Sequence, residues 1–339
     1  TLPDGMSYRI LVMPEGKPAT PETMRKIEEL VKSGATVAGP PPSEAPGLTN
    51  YPASEAEVKA IAKRMWAGVD GRVVKENRYG QGRVIWGRSL RQILEAAGVG
   101  PDFAYSGARD AKFDAIHRRT GDADYYFVVN KSNRWEDADC AFRVKGRAVE
   151  LWDPATGERR PQLVYRAERG RTVVPLRLAP HGSVFVVFRG APPSNHAVSL
   201  PAGTELVAAP NGGMRLRAWK AGRYTVRDAS GRAAAVNIDA VPPAQTIANE
   251  WTVRFTPGWG APESAAFPKL VSWTERAEDG IKYFSGVATY ETTFDLPKSS
   301  LAAGHHLELD LGAVANLAEV RLNGKDLGVL WKPPFRVDV

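Results

Sequence analysis

Four tryptophans crowd the last part of this chain: Trp251, Trp259, Trp273 and Trp331, of nine in 339 residues. Sugar rings present patches of C–H that stack on aromatic faces, and sugar sites set such faces beside a few polar groups. Trp259, between Gly258 and Gly260 and just after Pro257, reads as a loop residue and is the best placed for exposure. For every tryptophan, a place in the core of a β module is the competing use. Trp259, Trp273, Glu275 and Trp331 are the candidate binding residues. Hydrolysis of a glycosidic bond needs two carboxylates about 5–9.5 Å apart across the sugar. Glu263, Glu275, Glu278 and Asp279 flank aromatic residues in this segment. Sequence alone does not pair them, and surface or loop carboxylates are the weightier reading, so no catalytic residue is assigned.

Other chemistries find less support. The five histidines are His117, His181, His196, His305 and His306, without H-E-x-x-H or H-x-H spacing. His305-His306 reads as a solvated turn before a strand, and no metal ligands are assigned. The single cysteine, Cys140, excludes an internal disulfide and a multi-cysteine metal site, and its strand-like setting reads as a buried structural thiol. No G-x-S-x-G elbow is present. Gly80-Gln81-Gly82 precedes a strand, unlike the G-x-G-x-x-G that opens a helix after one. The net charge of +7 is spread among acidic neighbours, which argues for a solvated basic surface and against a nucleic-acid partner. No apolar run approaches the 18 residues of a membrane span, and Thr1-Leu2-Pro3-Asp4-Gly5 is not a signal peptide.

The elements that position these residues fall into successive patterns. With hydrophobic residues at 43% and charged residues at 24%, the chain is ordinary for globular protein, and its length suggests two or three domains. Residues 8 to about 100 alternate strand and helix. Tyr8–Met13 reads as a buried parallel strand. Thr20-Pro21 opens a helix with Met24, Ile27, Leu30 and Val31 on its apolar face and Gly34 as its stop. Ala35–Ala38 is a second strand. Ser54-x-x-Glu57 and Ser89-x-x-Gln92 read as capping boxes of two further helices, with Gly82–Gly87 a strand between them. From about 113 the helical period gives way to short strands at sandwich spacing, up to Val184–Phe188. Ala191-Pro192-Pro193-Ser194 reads as a linker. Further β patterns occupy 199 to about 240. In the last segment Leu307, Leu309 and Leu311 alternate with polar residues, as do Val320 and Leu322, and Asn323-Gly324 signals a hairpin. Val337-Asp338-Val339 reads as a strand still running, so an excerpt from a longer protein is expected.

The order of these features resembles glycoside hydrolase family 106, whose members are α-L-rhamnosidases. The sharpest motif runs from Leu270-Val271-Ser272-Trp273-Thr274-Glu275 to Tyr283-Phe284-Ser285-Gly286-x-Ala288-x-Tyr290-x-x-x-Phe294. A second runs from Leu309-x-Leu311-Gly312 through Asn323-Gly324-x-x-Leu327-Gly328-x-x-Trp331-x-Pro333-Pro334-Phe335, and is also similar to the sugar-binding jelly roll of family 2 glycosidases. The resemblance implies a multidomain α/β plus all-β chain. Residues 1–112 would be a non-catalytic amidotransferase-like α/β domain and 113–192 a β-sandwich. Residues 193–248 would be a small β segment or linker, and 249–339 a truncated galactose-binding-like jelly roll. It further implies hydrolysis, with inversion, of terminal α-L-rhamnosyl bonds by glutamates of an N-terminal (β/α)₈ barrel that this chain does not contain. Calcium belongs with that active site, and no cofactor is assigned to this chain. The expected partners are rhamnose-containing glycans and the missing barrel, and the expected location is periplasmic or secreted. A stand-alone carbohydrate-binding protein and a structural part of another glycosidase, such as a β-galactosidase-like member of family 2, are the alternatives.

Overall fold

In the computed structural model, residues 2–3, 5–193, 196–209 and 213–339 are described. Ser194 of the expected linker, and Thr1 and Asp4, lie outside them. Residues Thr1–Pro101 and Asp102–Val339 form two compact units.

The first unit keeps the strand–helix alternation. It runs β1 (Ile10–Val12), α1 (Pro21–Lys32), β2 (Thr36–Ala38), α2 (Ala53–Met65), β3 (Glu76–Tyr79), β4 (Gly82–Ile85) and α3 (Leu90–Ala96). The sheet order is β1-β2-β4-β3, with β1, β2 and β4 parallel and β3 an antiparallel edge. The Thr20 hydroxyl accepts from the Thr23 amide and caps α1, whose Met24, Ile27 and Val31 are buried. Ser89 and Gln92 close a reciprocal capping box on α3. Three expectations are corrected. Leu30 stays 41% exposed, off the buried stripe of α1. Strand β1 is a sheet edge, so Leu11 and Val12 remain 39% and 49% exposed rather than buried. The capping box at Ser54 does not form. Pro52, with ψ near 2°, already turns the chain into the helix, which leaves Ser54 inside the first turn with its hydroxyl buried and unpartnered. Strand β3 is largely polar and gave no apolar pattern in the sequence.

The Gly80-Gln81-Gly82 turn has a packing role. A Cβ on Gly80 would lie 2.6 Å from the Lys32 Cα, and one on Gly82 2.3 Å from the Val31 carbonyl oxygen. The Gln81 amide donates to the Lys32 carbonyl at 3.0 Å. The turn is thereby pinned against the C-terminal end of α1, where only glycine allows so close an approach.

The second unit begins with nine strands: β5 (Phe103–Gly107), β6 (Phe113–Arg119), β7 (Ala123–Asn130), β8 (Glu136–Phe142), β9 (Ala148–Trp152), β10 (Arg159–Pro161), β11 (Arg166–Glu168), β12 (Arg171–Leu178) and β13 (Ser183–Arg189). They form sheets of order β10-β9-β13-β7-β6 and β11-β12-β8-β5. Alternate residues of both sheets, among them Tyr126, Val128, Val186 and Phe188 on one side and Cys140, Phe142 and Val174 on the other, make one core. That shared core is what defines a sandwich. Strand β5 pairs with β8 and so belongs to the sandwich, ahead of the boundary expected at residue 112.

Next come β14 (Ala197–Ser199), β15 (Thr204–Ala208), β16 (Met214–Ala218), β17 (Gly222–Asp228) and β18 (Ala233–Ile238). Their sheets, β14-β17-β18 and β15-β16, are held by a small core of Leu163, Val164, Ala197, Leu206 and Val226. The last segment holds β19 (Trp251–Phe255), β20 (Ser264–Phe267), the single turn α4 (Asp279–Lys282), β21 (Ala288–Glu291), β22 (Glu308–Asp310), β23 (Ala318–Leu322), β24 (Lys325–Leu330) and β25 (Arg336–Asp338). These form one three-stranded sheet, β20-β19-β21, and the ribbons β22-β25 and β23-β24. Asn323 and Gly324 turn between β23 and β24 with φ of 51° and 77°, as a two-residue hairpin requires.

Candidate functional site

The aromatic residues of the last segment gather round the short sheet β20-β19-β21. Val253, Phe255, Phe267, Ile281 and Phe284 are its buried core, and Trp251 and Trp273 pack against it. Ring centroids lie 5.0 Å apart for Phe255–Phe284, 5.3 Å for Trp273–Phe284 and 5.8 Å for Phe255–Trp273, all edge to face. The Trp273 indole N–H donates to the Tyr290 hydroxyl at 2.6 Å. Burial raises the Tyr290 hydroxyl above its ordinary range, against that hydrogen bond. Trp273 is thus a half-buried wall of the core with its one polar atom already used.

Trp259 is different. It is 62% exposed, in a loop whose Gly258 and Gly260 have φ of 78° and 91°. Two glycines elsewhere set the position of this loop. A Cβ on Gly280 would lie 2.4 Å from the Gly260 carbonyl oxygen. One on Gly286 would lie 2.9 Å from Phe284 and 3.1 Å from the Trp259 ring. Bare backbone at 280 and 286 therefore lets the loop sit down beside Phe284, with the Trp259 ring at the surface. Tyr283 and Val287, on the chain flanking Phe284 and Gly286, are 73% and 77% exposed.

Polar groups stand nearby. Arg276 lies 4.3 Å over the Phe267 ring and donates to both carboxylate oxygens of Glu278, at 3.1 and 2.6 Å. That hydrogen bonding holds the Glu278 carboxyl below the usual carboxylate range. Glu275 is exposed at the end of the short turn capped by Ser272. Trp331 is 56% exposed, with the Lys332 ammonium 6.0 Å from its ring. Of the four candidates the structure packs Trp273 against Phe284 and brings Trp259 beside Gly286, two residues further along the chain. No ring contact among the described residues joins Trp331 to them.

Two polar groupings were not legible in the spacing. His117 meets Asp102 at 2.9 Å through Nδ1 and Asp124 at 3.0 Å through Nε2, and stacks on Tyr126 at 4.0 Å. Asp124 is 2% exposed and also faces Arg119 at 3.3 Å and Arg147 at 3.7 Å, so this is a satisfied network that ties β6 to β7 and to Asp102, just ahead of β5. His306 lies 3.1 Å from Asp338 and 3.7 Å from Glu308, and the two carboxylates are direct partners across β22-β25. These three exposed groups are the one metal-ligand grouping among the described residues. Calcium takes six to eight oxygens, so a histidine nitrogen and two carboxylates fit it poorly.

Two cavities lie in the first unit. One, of about 240 Å³, is lined by Arg9, Thr36, Arg83 and apolar residues. The other, of about 450 Å³, is lined by Lys59, Lys63, Trp66 and Pro41–Pro42 among others. Neither is lined by a carboxylate. No helix of the described residues is long and apolar enough to cross a membrane.

The family model described as alpha-L-rhamnosidase, glycoside hydrolase family 106, matches residues 1–167. The solved structure of a rhamnosidase from Novosphingobium sp. PP1Y is similar over 99% of this chain, at 33% identity and a TM-score of 0.77, and this chain covers 28% of that one. A Formosa agariphila protein, provisionally named a beta-glucuronidase, is 24% identical over 99% of this chain and 44% of its own length. The chain thus spans less than half the length of either relative. The family match over residues 1–167 and the rhamnosidase likeness along nearly all of the chain agree in their resemblance to glycoside hydrolase family 106.

Proposed function

We propose that this chain is the accessory, non-catalytic portion of a glycoside hydrolase that removes terminal α-L-rhamnosyl groups. The observation that carries this is the likeness over 99% of the chain to a rhamnosidase of which it makes up 28%. In this reading residues 1–101 are the amidotransferase-like domain without glutaminase chemistry, and the last segment is the jelly-roll-like sugar-facing module. Trp259 offers its exposed ring to a sugar face, with Glu275 as a polar neighbour on the same segment. Trp331 is a separate contact on the β23-β24 ribbon, and Trp273 holds the wall behind Trp259. The calcium implied by the family belongs with the catalytic barrel outside residues 1–339. Complex glycans are met outside the cytoplasm, so the protein is assigned to the periplasm or the exterior.

The test is hydrolysis of an aryl α-L-rhamnopyranoside by the polypeptide isolated at its native length and by residues 1–339 alone. Cleavage by the first only is the expected result. Cleavage by residues 1–339 alone overturns the accessory reading. Cleavage of β-glucuronides or β-galactosides without rhamnosides overturns the substrate class.

A further inference from the structure

An antiparallel sheet with one face in water alternates apolar and polar residues, whereas a sheet covered on both faces reads as a continuous apolar run. The two central strands of the five-stranded sheet are of the second kind. β7 carries Tyr125-Tyr126-Phe127-Val128-Val129 and β13 carries Val184-Phe185-Val186-Val187-Phe188. Tyr126, Val128, Val184, Val186 and Phe188 are consumed by the sandwich core. Tyr125, Phe127, Val129, Phe185 and Val187 point the other way, because side chains alternate along a strand.

The register turns these residues into a row. Arg159, Trp152, Phe185, Phe127 and Ile116 are successive cross-strand partners through β10, β9, β13, β7 and β6. Phe127 and Phe185 have ring centroids 4.8 Å apart, and Tyr125 meets Trp152 edge to face at 5.9 Å. Val187 on this face is fully buried, Phe127, Phe185 and Trp152 keep only a minor part of their surface exposed, and Ile116 at the edge is 59% exposed. Three of the five strands thus contribute an aromatic ring to one row, and an apolar row with an exposed end is a candidate interaction surface.

Charge at the rim narrows the partner. Glu150 is engaged by Arg189 at 2.7 Å, and Asp114 faces Lys131 at 3.5 Å. Arg118 on β6 and Arg159 on β10 stand at opposite edges without an ion pair among the described residues. The Arg159 guanidinium lies 4.3 Å over the Trp152 ring, and Arg118 makes only a 3.5 Å contact to the His117 carbonyl. A second copy laid on this face with its strands aligned would bring like charges at the edges toward one another. An apolar surface rimmed by carboxylates complements it. The relatives supply room for such a body, since 99% of this chain accounts for only 28% and 44% of their lengths.

We infer that the outer face of the five-stranded sheet is the docking face for an apolar, acid-rimmed protein surface belonging to the part of the longer polypeptide outside residues 1–339. This rests on the accessory reading and names the contact through which that role is exercised.

The test uses the native-length polypeptide with Ile116 replaced by photoreactive benzoylphenylalanine, and Val73, 86% exposed, as the control position. Adducts from position 116 should join peptides outside residues 1–339, at a yield well above that from position 73. The double variant Arg118→Glu, Arg159→Glu should lower that yield about tenfold, the factor that 1.4 kcal/mol commands. An adduct to residues 1–101, an adduct to a second copy in a mixed-isotope sample, or a yield no higher than the control each overturns the docking face. So does an undiminished yield in the double variant, with its circular dichroism unchanged. Rhamnoside cleavage is read on the same sample. Cleavage without the adduct sinks the docking face and leaves the accessory reading standing. A native mass equal to 36.8 kDa sinks both.

Discussion

The sandwich of residues 103–189 and the last segment, 251–338, are both short-stranded β structures rich in aromatics, and they use those aromatics in opposite ways. In the sandwich Tyr126, Phe142 and Phe188 are fully buried and meet at centroid distances of 4.8 to 5.8 Å. In the last segment only Phe255, Phe267 and Phe284 are buried among the aromatics of its sheet, while Trp259, Tyr283 and Trp331 are more than half exposed. Two whole sheets can enclose rings completely. A three-stranded sheet with two ribbons encloses few, and the rest are free for contact with other molecules. The core between the two sheets is built for rigidity, whereas the last segment, like the outer face of the five-stranded sheet, keeps rings at its surface.

The largest test of this difference is Phe142→Ala, which should cost about 3–5 kcal/mol in denaturant unfolding, because neighbours from both sheets hold the cavity open. A cost below about 1 kcal/mol would show a sandwich able to collapse around it. Phe267→Ala should cost about 3 kcal/mol, at the low end of the same range. Hydrogen exchange should show that loss confined to β19, β20 and β21, and loss spreading into β7 and β13 would join two regions that the contrast separates.

A third test uses acid. Burial disfavours the charge on Glu150, but hydrogen bonds from Arg189 and Trp152 outweigh it and hold the carboxyl below its ordinary 4.5. A carboxyl depressed in the folded state adds stability above its unfolded pKa and loses it as pH falls through the folded one. The stability difference between wild type and Glu150→Gln should therefore shrink as pH falls below about 4.5. Glu278, also depressed, has a half-exposed side chain paired to Arg276, and solvent screening should make Glu278→Gln the weaker of the two. The smallest expected effect is that of Trp259→Ala, within about 0.5 kcal/mol of wild type. It should nevertheless weaken binding to a rhamnose-containing glycan in calorimetry. A large stability loss with unchanged binding would return Trp259 to the core.

Local chemistry was the most legible part of the fold. The Thr20 and Ser89 caps, the parallel β1, β2 and β4, and the Asn323-Gly324 hairpin each follow from a few adjacent residues. Ser54 misled because a proline two residues earlier had set the helix start. Strand β3 was silent because an edge strand can be built of polar residues. The candidate binding residues were legible as residue types, without their arrangement. Trp259 and Gly286 are brought together by the sheet rather than by the sequence interval between them. The row from Arg159 to Ile116 exists only once five strands are in register, so no window of sequence displays it.

Cys140 gives the sandwich a built-in reporter. The thiol is fully buried, and burial pushes its pKa up to about 12, so the closed protein offers a thiol reagent nothing to attack. Labelling then requires the two sheets to part, and where reclosing outpaces the reagent its rate follows the fraction of molecules open. Cys140 is the single cysteine of residues 1–339, so labelling of that stretch reports the opening of the sandwich with no probe added.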